Sequence, residues 1–205
     1  MTDKTATLAD AHFVRAAERF EHSPISQQLA ALTDQVFPLL SLSKAQHWLD
    51  FGAGTGAVSV PLAAQVQQVT ALDTSAAMLS KLIDKNIANI ATLEQDIFCG
   101  LHDVYDGVIS SMALHHVADI EKLLTCMHQC LHQGGQLALV DLYQEDGSFH
   151  GDNAGKGVVH FGFAPQQLLE IAQRVGFKDL SCREIFNIEH KNGRRYPLFV
   201  LLGRA

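Results

Sequence analysis

The chain has 205 residues, 47% of them apolar and 18% charged, which is a globular rather than a disordered composition. Fifteen Lys and Arg against 22 Asp and Glu leave a net charge of −7. That balance argues against nucleic acid as the main partner, because phosphate binding draws on a basic patch. One domain is expected from the length, and no apolar run approaches the ~20 residues of a membrane span.

The polar start Met1-Thr2-Asp3-Lys4-Thr5 does not read as a secretory signal. Cys99, Cys126, Cys130 and Cys182 are too sparse for a disulfide scaffold, so a reducing cytoplasm is expected. Residues from about Thr5 to Phe37 carry apolar side chains at helical spacing (Phe13, Ala16, Ala17, Phe20, then Ile25, Leu29, Leu32, Val36). Ser23-Pro24 divides this stretch into two helices and Pro38 closes the second. Residues 1–44 are therefore expected to form a helical cap, and residues 45–205 a core.

In that core, strands alternate with helices. Strands are expected at His47–Phe51, Val69–Asp73, Ile90–Leu93, Tyr105–Ser111 and Gln136–Tyr143. Helices are expected at Gly56–Val66, Ser75–Ile87 with Ser75 as its cap, and Ala118–His132 ending at Gly134-Gly135. Short connections in such an alternation predict a parallel sheet covered on both faces. A helix at Pro165–Val175 then leads to two apolar-rich runs, Phe177–Ile188 and Tyr196–Leu202, joined at Lys191-Asn192-Gly193. This predicts a terminal antiparallel hairpin.

The most informative segment is Asp50-Phe51-Gly52-Ala53-Gly54-Thr55-Gly56, between a strand and a helix. Glycine is required at the tight turn (Gly52), where a ligand approaches the backbone (Gly54), and where elements pack closely (Gly56). Asp73 ends the next strand and can accept hydrogen bonds from ribose hydroxyls. Asp96 and Ile97 follow the third strand and can hold an adenine by its amino edge and its face. Two nucleoside cofactors suit this pattern. The spacing G-x-G-x-G departs from the G-x-G-x-x-G of NAD sites. Acidic groups suit the cationic sulfonium and ammonium of S-adenosylmethionine.

These residues resemble Rossmann-like, class I S-adenosylmethionine-dependent methyltransferases. Leu49 to Gly56 is similar to their first motif, Ala71 to Leu79 to the second, and Gln95-Asp96-Ile97 to the third. Tyr105 to Val117 is similar to the fourth, and Leu131 to Leu137 to the turn before the fifth strand. The match runs in order over residues 46 to 143, and its nearest flavour is the small-molecule enzymes of ubiquinone and menaquinone biosynthesis. The resemblance implies a seven-stranded, mostly parallel sheet with an antiparallel C-terminal strand and a helical lid. It implies that Asp50, Gly52, Ala53, Gly54 and Gly56 line the methionine part, and that Asp73, Thr74 and Met78 surround the ribose. Asp96 and Ile97 would hold adenine, with Ser111 and Met112 beneath the sulfonium.

Methyl transfer is a one-step displacement helped by alignment and exclusion of water, and it needs a base only when the acceptor loses a proton. His115 and His116, just past the fourth strand, are the candidate catalytic pair. Asp141, Phe149, His150 and His160 are the candidate acceptor wall, with Phe13 and Phe20 closing from the N-terminal helices. The i,i+4 pairs Cys126/Cys130 and His128/His132 fall on different faces of one helix, so no metal site is expected. Ser110-Ser111 stands where a magnesium-dependent enzyme would need an acidic ligand. The expected protein is a methyltransferase acting on a small molecule, as a monomer or homodimer. The alternatives are a non-catalytic S-adenosylmethionine- or S-adenosylhomocysteine-binding protein and an NAD(P)-dependent oxidoreductase.

Overall fold

The computed structural model describes residues 27–29 and 31–205. The first expected helix, with Phe13 and Phe20, lies outside the described residues. The seven strands are β1 (His47–Phe51), β2 (Gln68–Asp73), β3 (Ile90–Glu94), β4 (Tyr105–Ser111), β5 (Leu131–Leu142), β6 (Lys178–Glu189) and β7 (Arg195–Arg204). The helices are α1 (Thr33–Val36), α2 (Ser59–Ala63), α3 (Ala76–Ile83), α4 (Ile120–Gln129) and α5 (Pro165–Val175). Three 3-10 turns, Phe37–Leu39, Ile97–Cys99 and Leu114–His116, accompany them among the described residues.

All seven strands form one sheet in the order β3-β2-β1-β4-β5-β7-β6. The pairs β1–β2, β2–β3, β1–β4 and β4–β5 are parallel, and β7 runs antiparallel to both β5 and β6. This is the Rossmann-like arrangement with an antiparallel C-terminal strand. Strand order reverses between β1 and β4, and in open α/β sheets ligands bind at the carboxyl ends of strands beside that reversal.

Alternation of side chains along each strand divides the core into two layers. Leu49, Leu137, Leu139, Phe199 and Leu201 face one side and pack with Leu123, Leu124, Met127 and Leu168 of α4 and α5. Trp48, Val69, Ala138, Val140, Leu198 and Val200 face the other and pack with Leu29, Leu32, Val36, Val58 and Leu62. The central strands are apolar on both faces because both faces are covered. Residues leading into β1 are also tied to β5: Gln136 accepts from the Ser41 N–H at 2.8 Å and donates to its carbonyl oxygen at 3.0 Å.

Several expected boundaries move for identifiable reasons. The helix expected at Gly56–Val66 is reduced to Ser59–Ala63, although Val60 N–H already bonds Gly56 O. Pro61 has no N–H to return to Ala57, so the coil is interrupted there. Pro38 does not stop a helix cleanly; α1 tightens into the 3-10 turn Phe37–Leu39 around it. Gly134-Gly135 does not end α4, which stops at Gln129. The glycines form an irregularity within β5, whose pairing jumps from Leu131 to Gln136 while β4 advances from Tyr105 to Gly107. Gly134 takes a φ of +78°, and its N–H bonds the carbonyl oxygen of Ala205. The terminal hairpin turns at residues 191–193 as expected, closed by His190 N–H to Arg194 O at 3.0 Å.

Candidate active site

A cavity of about 930 Å³ opens at the carboxyl ends of β1 to β5, and its lining draws on nearly every segment singled out in the sequence. At one end lies the loop after β1. Gly52, Gly54 and Gly56 all have positive φ (+70°, +54°, +88°). A Cβ on Gly52 would strike the Cβ of Ala113, and one on Gly56 would strike Leu82 of α3. Gly54 has open space where its Cβ would stand, so this is the point at which a ligand can reach the backbone.

Carboxylates hold this loop in place. Asp50 is 1% exposed and accepts from the Ser59 hydroxyl at 2.6 Å. Burial pushes its carboxyl up to about 7; the Ser59 bond opposes the shift, and the charge of Asp73 adds to it. Asp73 accepts the Gly54 N–H at 2.8 Å on one oxygen and the Ser75 N–H at 2.8 Å on the other. It thus bridges the β1 and β2 loops. Burial raises the Asp73 carboxyl while these backbone N–H bonds oppose the rise. Asp96 accepts the Phe98 N–H at 2.9 Å and caps the 3-10 turn that seats the buried Ile97.

At the other end, the 3-10 turn Leu114–His116 follows β4. Met112 enters it with a φ of +58°, unusual for a side-chain-bearing residue, and its N–H is fixed by Val140 O at 2.9 Å. His115 is 1% exposed. Its Nδ1 lies 2.8 Å from Asp141 Oδ1, and its Nε2 lies 3.1 Å from His150 Nε2. His116 Nδ1 lies 3.1 Å from Gly157 O. Ser148, Phe149, Lys156, His190 and Asn192 complete this wall.

Most of the expected site residues come together here: Asp50, Gly52, Ala53, Gly54, Asp73, Thr74, Met78, Asp96, Ile97, Ser111, Met112, His115, His116, Phe149 and His150 all line the cavity. Gly56 supports it from behind. Two expectations are corrected. Asp141 is fully buried behind His115 and does not form the wall, because its carboxylate is taken up by His115 Nδ1 at 2.8 Å and by the His115 and Leu142 N–H groups. His160 lines a neighbouring cavity with Phe161 and Phe163, since its Nε2 pairs with Val117 O at 3.0 Å. Ser59, Ala113 and Lys156 were not foreseen. Ser59 carried a signal, since a hydroxyl in the first turn after a glycine loop can return to the preceding strand; Ala113 and Lys156 carried none.

Cys126 of α4 packs against the core. Cys130 is buried, which pushes its thiol up to about 12, and its Sγ–H donates to Met127 O at 3.2 Å. His128 meets the ring of Phe177 edge-on.

The family model described as a methyltransferase domain matches residues 20–182, and the chain belongs to that family. An uncharacterized methyltransferase of Schizosaccharomyces pombe is 32% identical over 142 residues, covering 60% of this chain and 50% of the relative. The malonyl-[acyl-carrier protein] O-methyltransferase of Salmonella typhimurium is 32% identical over 136 residues, covering 65% of this chain and 53% of that one. The chain thus spans about half the length of these relatives. Phosphoethanolamine N-methyltransferase 2 of Haemonchus contortus, solved with S-adenosyl-L-methionine, shares the fold. Its TM-score is 0.72 at 14% identity, covering 94% of this chain and 59% of that one. The fold is that of the class I S-adenosylmethionine-dependent methyltransferases.

Proposed function

We propose that the cavity binds S-adenosylmethionine at its glycine-loop end and that the protein transfers the methyl group to a small molecule entering at the histidine end. The observation that carries this reading is the single cavity shared by the Gly52–Thr55 loop, Asp73, Asp96-Ile97 and Ser111–His116, all at strand ends beside the reversal of strand order.

The residues fit the group. Open space at Gly54 admits a ligand against the backbone. Asp73, already fixed by two N–H groups, keeps lone pairs for a ribose diol. Asp96 and Ile97 offer an acceptor and an apolar face for adenine, and Asp50 adds a buried carboxyl beneath the loop. When bound, the cofactor supplies a methyl group on a cationic sulfur. Ser111 and Met112 floor that position, and His115 and His116 mark where the acceptor begins. Net charge −7 supports a small molecule rather than a nucleic acid. Four cysteines without a disulfide suit the cytoplasm. Among the described residues no helix is long and apolar enough to cross a membrane. A monomer or homodimer is the assembly this reading assigns.

Calorimetric titration tests the proposal. S-adenosylmethionine and S-adenosylhomocysteine are expected to bind and NADH not to. Binding of NADH alone would overturn the reading.

A further inference from the structure

The charges that line the cavity are sorted by sign along its length. At the glycine-loop end stand Asp50, Asp73 and Asp96. At the histidine end stand Lys156 and Lys191, although acidic residues outnumber basic ones by 22 to 15 in the whole chain. Glu189 also lines that end, but its carboxylate pairs with Arg195 at 2.7 Å. Lys156 is part-buried, and its Nζ donates to a neutral group, the His150 carbonyl oxygen, at 2.7 Å. No carboxylate of the described residues forms an ion pair with it. Burial, and after it the charge of Lys191, lowers the Lys156 ammonium; the charge of Asp152 opposes them from a distance. An ammonium carries three N–H groups, so two remain after the bond to His150. A cation partly withdrawn from water and held by a carbonyl alone is incompletely compensated. Lys191 is exposed on the hairpin turn. That turn is closed by Gly193 N–H to His190 O at 2.9 Å and by the Asn192 side chain, which donates to the Tyr196 hydroxyl at 2.7 Å. Between them the lining includes Gly151, with a φ of +72° and open space where its Cβ would stand. A ligand can come against the backbone there, as at Gly54.

We infer that the histidine end of the cavity is an oxyanion site, and that the methyl acceptor carries a carboxylate or a phosphate held by Lys156 and Lys191. This rests on reading the cavity as a methyl-transfer site. Two cations at one wall repel each other, and an anion between them replaces that repulsion by two attractions. Partial burial of Lys156 makes its attraction stronger than that of a fully solvated ammonium. A neutral acceptor gains nothing from the pair, and a cationic one is repelled by it. The opposite signs at the two ends also keep two ligands in their places. A cationic cofactor is favoured among the aspartates and an anionic acceptor between the lysines.

Calorimetric titration with inorganic phosphate, benzoate and neutral benzamide, in the presence of S-adenosylhomocysteine, tests the site. At least one anion is expected to bind at millimolar concentration, and benzamide at least about tenfold more weakly. The tighter anion tells whether the site suits a phosphate or a carboxylate. Lys156→Gln keeps a hydrogen-bond donor for the His150 carbonyl and removes the charge. It should weaken the anion by about tenfold or more and leave S-adenosylhomocysteine affinity within about twofold. Lys191→Gln, on an exposed turn, should weaken it by about two- to fivefold, and added KCl should weaken it further. Lys178→Gln makes the same charge change outside the cavity lining and should have no effect. No binding of either anion, benzamide as tight as benzoate, or wild-type affinity in Lys156→Gln overturns the inference. So does an equal loss in Lys178→Gln, which would show a response to net charge alone. Anion binding with these variant effects but no binding of S-adenosylhomocysteine would instead sink the cofactor reading and leave the oxyanion site standing.

Discussion

The two ends of the cavity are built by different means. At the glycine-loop end, the proposed cofactor end, each defining hydrogen bond spans a short stretch of chain: Asp96 to Phe98 over 2 residues, Asp50 to Ser59 over 9, Asp73 to Gly54 over 19. At the histidine end, the proposed acceptor end, the spans are 26 for His115 to Asp141, 35 for His115 to His150, and 48 for Ser148 to Tyr196. One end is fixed by strand ends and glycine geometry. The other is assembled from a loop, a 3-10 turn and the terminal hairpin. Substitutions at the first should therefore disturb stability and cofactor binding, and those at the second should change turnover and acceptor choice.

The largest expected effect is electrostatic and belongs to the cofactor end. Asp50 has an ordinary carboxyl value of 3.8 unfolded and about 7 folded. Between these values the folded protein binds the extra proton, so stability falls as pH rises. The contribution is fully present below 3.8 and gone above about 7. Its size is roughly 4 kcal/mol. Asp50→Asn removes the titration, so its stability relative to the wild type should rise across this window and level off above it. Urea unfolding of both proteins from about pH 4 to pH 8 checks this; parallel curves would show that Asp50 does not titrate there.

Next is Gly52→Ala. The new methyl group meets Ala113 and forces a side chain into a positive φ. Left-handed backbone costs about 1–2 kcal/mol, and overpacking about 1–3 kcal/mol more. A loss of about 3 kcal/mol in urea unfolding is expected. Gly54→Ala, with open space at its Cβ, should lose only the backbone part yet still weaken S-adenosylhomocysteine binding. Equal costs for the two would mean that the contact with Ala113 relaxes. Asp73→Ala should weaken the same ligand at least tenfold, about 1.4 kcal/mol, because it removes the proposed ribose acceptor and unties Gly54 from Ser75. Unchanged affinity by calorimetry would remove Asp73 from the site.

The same contrast in span explains what could be read without coordinates. The glycine loop, Asp73 and Asp96 follow from local periodicity and turn chemistry, which operate over a few residues. Short-range rules also misplace features. A glycine pair after a helical run reads as a helix stop, yet Gly134-Gly135 lies inside β5, where pairing with β4 and the C-terminal residue decides its place. Asp141, His115 and His150 were each visible as candidates, but their connection depends on which face of β5 Asp141 takes. His160 was grouped with them by proximity in sequence, and a single bond to Val117 O turns it into the neighbouring cavity.

The smallest effect is expected at the outer edge of the acceptor end. Arg194, on the hairpin, donates to both oxygens of Asp146 at 3.0 and 2.9 Å and to the Ser148 hydroxyl at 2.6 Å. The Ser148 hydroxyl also lies 2.7 Å from the Tyr196 hydroxyl, behind which Phe149 packs. The Ser148 hydroxyl and, after it, the Arg194 guanidinium hold the Asp146 carboxyl well below the usual range, yet Arg194 and Asp146 are both about half-exposed or more and solvent screens them. Arg194→Ala should therefore leave the melting temperature within about 2 °C of the wild type. It should nevertheless speed proteolytic cleavage between residues 145 and 158, because the link tying that loop to the hairpin is gone. A cleavage rate equal to the wild type would show that Phe149 and the His115–His150 contact hold the loop without it, placing the order of the acceptor end in its buried chain rather than at its rim.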